Sequence, residues 1–359
     1  MAEFRQSEAS LYVSKRRETT FNTPYVAGAD FLQATSQNPI VLIPELEKTD
    51  DANRAGNSSE FPTAQCNQYW TPPAASFSDQ ANFDLFGRLA LRAVGGAVTT
   101  TTVVASVAFK HAANMLAKAS GLQYPSSTLI SELGGASFLF AGNVVERFRL
   151  SQEGVQPVAA QFDLIGSGKH RSPHAVTSLP AVPSFSCLKP KSFLEYTDDV
   201  GLKQLANLCT VRSWFVEIVN SHAPADDRCI GDSTQNAGDY TASGGASDAS
   251  YNSKLTRGNR IINAQIVILL DSTMPEWLKM ASNTALTNVT FGARGAVLDG
   301  AGPTYESLKV IIPNAKFASI QEQDSNGKAA LVLNFKAFYD ATAIGAKVEV
   351  VNGTSSNFD

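Results

Sequence analysis

The residues best suited to chemistry are few and badly placed for it. Gly166-Ser167-Gly168-Lys169-His170 has the ending of a phosphate-binding loop, in which backbone amides and a lysine cradle a polyphosphate. Asp163 stands where that motif needs its first glycine, and His170 replaces the hydroxyl residue that would reach a magnesium ion. Gly245-Ala246-Ser247-Asp248-Ala249 approaches a nucleophile elbow but ends in Ala249, inside a polar stretch with no strand before it. His170 and His174 have the spacing of two metal ligands on a helix, yet Pro173 between them forbids that helix. Asp50-Asp51 and Asp226-Asp227 are adjacent carboxylates in loops, where solvation is their ordinary state. Cys66, Cys187, Cys209 and Cys229 are widely spaced, with no C-x-x-C and no nearby histidine pair. No enzyme, cofactor or metal is expected.

What the chain has in quantity is strand pattern. In FLFAGNVVERFRLSQEGVQPVAAQFDLIGSG (138–168), Phe148 and Leu150 alternate with Arg147, Arg149 and Ser151. After Gln152-Glu153-Gly154, the returning arm sets Val158, Ala160, Phe162 and Leu164 against Gln161 and Asp163. Strand side chains alternate between faces, so this is a β-hairpin with one buried face. Gly154 suits the positive φ of its turn. Before it come a strand over 38–46, a second over 66–77 limited by Pro72-Pro73, and a helix over 82–94. That helix lines up Phe83, Phe86, Ala90 and Val94, with Asp79 or Asn82 to cap it and Gly95-Gly96 to stop it. Residues 108–120 suit a short helix, and 127–135 close this half.

The second half runs through similar elements. Strands are expected over 209–219 and 260–271, the latter with Ile262, Ala264, Ile266, Ile268 and Leu270 on one face. A helix over 273–281 follows, opened by Thr273 and Glu276 in capping-box spacing. The closing strands meet at Asn326-Gly327, a strong hairpin signal, with Leu331, Leu333, Phe335, Ala337 and Tyr339 on one face. Each half also holds a long acidic loop, 47–65 and 224–253. The order suggests a diverged internal duplication: an N-terminal arm (1–37), a first domain (38–168), a linker and connecting segment (169–208) and a second domain (209–359).

Composition bounds the function. The chain of 359 residues is 43% hydrophobic, ample for a core, but only 17% charged, against roughly 25% in ordinary soluble domains. A surface so poor in charge suits contact with other protein. Net charge is −4, which leaves no basic footprint for nucleic acid. The opening residues lack the apolar core of a signal peptide, and the longest apolar run, Ile266–Leu270, falls far short of the roughly 20 residues that span a bilayer. A soluble protein made in a reducing cytoplasm is expected.

Several stretches, taken in order, resemble the tail tube (major tail) proteins of long-tailed bacteriophages. They are KRRETTFNTP near the start, YPSSTLI, the hairpin above, LTRGNRIINAQIVILLD, and the closing VIIPNAKF and KAALVLNFKAFYD. The resemblance implies two related β-sandwich or β-roll tube domains, each flanked by a short helix and joined by sheet edges into a ring-shaped barrel. Stacked rings would form the virion's tail tube, assembled in the bacterial host cytoplasm, through which DNA leaves. It implies partners as well: tail terminator, tail tip or baseplate and tape measure proteins, with genomic DNA passing unbound. Three chains would give a pseudo-sixfold ring, and six chains are the alternative. The long loops would contact the neighbouring ring through Asp50, Asp51, Arg54, Asp226, Asp227, Arg228, Asp232 and Asp239. A decoration protein or carbohydrate-binding β-sandwich is the competing class. It would cluster exposed aromatics, whereas Trp70, Trp214 and Trp277 are scattered.

Overall fold

A computed structural model describes residues 10–34, 45–50, 65–71, 74–80, 83–116, 123–133, 136–167, 169–171, 191–199, 201–205, 210–222, 255, 258–269, 284–300, 304–325, 327–338, 345–355 and 358. Strands hold 65% of the described residues, against one α-helix among them, so the class is mainly β. The strands of the first half are β1 (Ser10–Ser14), β2 (Phe31–Ala34), β3 (Glu45–Asp50), β4 (Gln65–Thr71), β5 (Ala74–Gln80), β6 (Thr99–Val104), β7 (Ala108–Asn114), β8 (Ser127–Leu133), β9 (Ala136–Glu153) and β10 (Ala159–Ile165). Helix α1 (Leu85–Val94) lies between β5 and β6. The remainder are β11 (His170–Arg171), β12 (Lys191–Thr197), β13 (Leu202–Gln204), β14 (Val211–Val219), β15 (Ile261–Leu269), β16 (Leu286–Val297), β17 (Tyr305–Ser325), β18 (Lys328–Ala337) and β19 (Lys347–Asn352).

All the strands except β3 and β4 join one large antiparallel sheet, and that sheet is open. Its pairing order repeats. In the first half β2 pairs with β1, β1 with β8, β8 with β9, β9 with β10, and β10 with β5. In the second half β13 pairs with β12, β12 with β16, β16 with β17, β17 with β18, and β18 with β15. Even the irregularities match. An extra residue interrupts the long strand of each hairpin, Glu146 in β9 and Ala318 in β17. A bulge of this kind bends the strand and increases its twist. The halves meet where β14 lies between β9 and β15, and again where β7 pairs with β19, with β6 outside β7.

One cluster of buried side chains draws on both halves, including Phe148, Leu150 and Phe162 with Ile266, Leu308, Leu333 and Val350. Helix α1 packs on β9, β19 and β7, and each of its ten residues is buried. Asp84 precedes the helix without a side-chain cap and instead accepts a hydrogen bond from Arg88 Nε at 2.8 Å.

The structure corrects several expectations. The helix starts at Leu85, and Asp79, read as its cap, lies in β5. Residues 108–114 are strand β7, because pairing to β19 on one side and β6 on the other outweighs alanine's helical preference. The strand over 66–77 is two strands, β4 and β5. The loop over 47–65 is shorter, since Glu47–Asp50 and Gln65 lie in a β3–β4 ladder. The arm contributes β1 and β2, with Leu11, Val13 and Phe31 buried, and the connecting segment supplies Leu194, Tyr196 and Leu205 to the core. The hairpins agree with expectation: φ is positive at Gly154 and Gly327, and Leu331, Leu333 and Phe335 are buried. The strand over 38–44, the helix over 273–281 and Tyr339 lie outside the described residues.

Candidate functional site

Three of the stretches that carry the resemblance, 15–24, 124–130 and 138–168, are far apart in sequence and meet in space at Glu18. This carboxylate, 5% exposed, accepts hydrogen bonds from Ser126 Oγ (2.6 Å), Thr128 Oγ1 (2.9 Å) and the backbone amides of Asn22 and Gly142 (each 3.0 Å). The close approach of Gly142 depends on φ of +68°, and a Cβ there would collide with Asn22 Oδ1 and Ser167 Oγ. Burial raises the Glu18 pKa above the usual carboxylate value, with the hydrogen bonds from Ser126, Gly142, Thr128 and Asn22 working against it. Burial likewise lowers Lys169, whose ammonium donates to the Asn22 carbonyl at 3.0 Å; the Glu18 charge opposes that shift.

Arg88 and Arg92 of α1 complete the clasp by donating to the carbonyls of Lys15 (2.8 Å) and Ser14 (3.0 Å), and Arg92 also reaches Ser127 Oγ at 2.8 Å. Next to it, Tyr124 packs with Val144 and Leu255, receives a hydrogen bond from Arg260 Nη1 at 3.0 Å, and meets His222 edge-on. His222 Nδ1 stands 2.7 Å from Glu146 Oε2. These hydrogen bonds hold segments together. They are a fastening between the N-terminal segment, α1 and β9.

The second feature is the set of sheet edges. The junction of β9 and β14 is stitched along its length. Arg147 Nε donates to Glu217 at 2.7 Å and lies 3.6 Å from Asp163, Arg149 covers the Phe215 ring, and Trp214 Nε1 donates to Gln152 at 3.1 Å. At its end Asn220 Nδ2 bridges the carbonyls of Ala93 and Val145. Beyond its bulge β17 has β18 on one side and, among the described residues, nothing on the other. Edge strand β6, TTTTVV, is exposed from Thr99 to Val103 and carries no charge.

Of the residues read as inter-ring contacts, only Asp50 lies within the described residues, paired with Gln65 across the β3–β4 ladder. Asp51, Arg54, Asp226, Asp227, Arg228, Asp232 and Asp239 lie outside them. Sequence reasoning missed the clasp. Its one local signal was a glutamate inside KRRETTFNTP, and nothing local announces that its donors come from residues 126–142. No protein-family model matches the chain, and a comparison with curated proteins finds no relative.

Proposed function

We propose that this chain is a structural subunit that assembles through sheet edges into rings, stacked as the tail tube of a bacteriophage and conducting DNA at ejection. The observation that carries the reading is an antiparallel sheet that runs through both halves and stays open. An open strand edge is an aggregation hazard in a monomer and a joint in an assembly. In this reading the two ladders of matching pairing order are two tube domains, and three chains make a ring of pseudo-sixfold symmetry. DNA must slide without being gripped, and Arg147, flanked by Asp163 and Glu217, is a cation whose charge is compensated within the sheet. In this reading the acidic stretches 51–64 and 224–253, the latter with Asp226, Asp227, Arg228, Asp232 and Asp239, contact the next ring.

Negative-stain electron microscopy of the purified chain is the test. Rings or tubes are expected, and monodisperse single particles at all concentrations would refute the assembly. Deleting residues 230–250 is expected to leave a folded subunit that forms rings without stacking. Tubes of normal length from that deletion would remove the loop from the proposal.

A further inference from the structure

We infer that Lys169 and Asn22 form a covalent bond inside the clasp. The lysine Nζ displaces ammonia from the asparagine carboxamide, with Glu18 as proton relay, and leaves an isopeptide that ties the N-terminal segment to the segment after β10. The bond lies within one chain and does not depend on assembly.

The fold brings the three residues together from distant parts of the chain. Asn22 is buried, sits at φ +65° and donates its backbone amide to Glu18 Oε2 at 3.0 Å. Its carboxamide is held from two sides. Ser167 Oγ, itself buried, donates to Oδ1 at 2.6 Å, and Gly142 leaves the room that a Cβ would take from that oxygen. Lys169 is pinned beside it. Its carbonyl accepts from the Ala141 amide at 2.9 Å, its amide donates to Ser167 Oγ at 3.2 Å, and its ammonium reaches the Asn22 carbonyl at 3.0 Å. Attack needs the reacting atoms about 3–3.5 Å apart. The carboxamide carbon belongs to the residue that Nζ already touches, so torsions of the lysine side chain carry the amine from one carbonyl to the other.

The surroundings suit the chemistry. An amine attacks only when neutral, and burial lowers the Lys169 pKa and so favours that form. A relay must hold a proton to give, and burial keeps Glu18 protonated to higher pH than an ordinary carboxylic acid. The steps balance. Nζ adds to the Asn22 carboxamide carbon, and the Ser167 hydroxyl stabilises the charge that develops on Oδ1. Glu18 passes a proton to Nδ2 and takes back the one that Nζ releases. The bond to Nδ2 breaks, ammonia leaves, and a secondary amide replaces a primary amide and an amine with no change in oxidation state. The product also removes an ammonium that is half-buried in the folded chain, where a charge is costly.

Mass spectrometry of the full-length wild-type chain tests this. A mass lower than that of the sequence by one ammonia is expected, with a tryptic fragment that joins the Asn22 and Lys169 peptides and is not cut after Lys169. In denaturing, reducing electrophoresis the looped chain should run ahead of Lys169→Arg, which keeps the cation and cannot form the bond. Lys169→Arg and Asn22→Ala are expected to show the masses of their own sequences. Glu18→Gln, checked for a cooperative melting profile, is expected to lose most of the joined fragment. A folded wild-type chain of full mass would overturn the bond. So would loss of ammonia with the two peptides separate, the mark of a cyclic imide at Asn22. An undiminished joined fragment in Glu18→Gln would overturn the relay.

Discussion

β9 and β17 are the same device in two settings. Both are long, both turn through a glycine hairpin, both carry a bulge, and both pass from one set of partners to another. β9 is covered on both flanks over its second half, and its inward side chains, Phe148 and Leu150, are sealed in the core. β17 has one open flank, and at the positions that match by count from the bulge Ile320 is only half-buried and Glu322 is exposed. The lesson is that burial in a sheet depends on the neighbouring strand as much as on the residue's own pattern.

The largest expected effect breaks this comparison at its core. Phe148→Ala removes a ring stacked on Phe162 at 4.8 Å and should cost about 3–5 kcal/mol of stability, while Ile320→Ala should cost about 1 kcal/mol in the free chain. Chemical denaturation of the two variants would measure the gap. Equal losses would mean that β17 is as well covered as β9.

A second prediction concerns the bend that lets β9 meet the clasp. Gly142→Ala forces a side chain into a left-handed conformation against Asn22 and Ser167, so a loss of about 1–3 kcal/mol is expected, with the melting temperature as readout. β17 has no positive φ among its described residues and lacks this vulnerability.

The third is a pH effect. Burial makes Glu18 harder to ionise in the folded chain than in the unfolded one, whose value is near 4.5. Stability from this group is full below that value and is lost as pH rises through the raised folded value. Glu306, raised chiefly by burial, has the same sign, whereas His111, lowered chiefly by burial, loses stability as pH falls. Glu18→Gln is therefore expected to flatten part of the decline above pH 4.5 and to leave the acid limb of His111 unchanged. An unaltered profile in urea titrations at several pH values would contradict this.

The smallest effect sharpens the stitched junction. A double-mutant cycle on Arg147 and Glu217, both partly screened by solvent, should give a coupling of about 0.5–1 kcal/mol. Salt should weaken it.

Much of this architecture is legible in the residues themselves. Period-two alternation marks β9, β10, β15 and β18, and the turn glycines place their hairpins, because strand faces and turn dihedrals are local properties. The helix is legible too, from Phe86, Ala90 and Val94 on one face. Residues 108–114 are not, since Ala-Phe-Lys-His-Ala-Ala-Asn has no strong local preference and becomes a strand only where β19 offers backbone partners. The clasp was hidden for the same reason: Glu18 reads as one more surface acid until residues 126, 128 and 142 bring donors from more than a hundred positions away. Local alternation and turn chemistry thus determined that this chain is a β protein of repeating hairpins. Which strand flank is covered and which left open was decided only by tertiary structure, because a strand's pattern specifies its faces and says nothing about its edges.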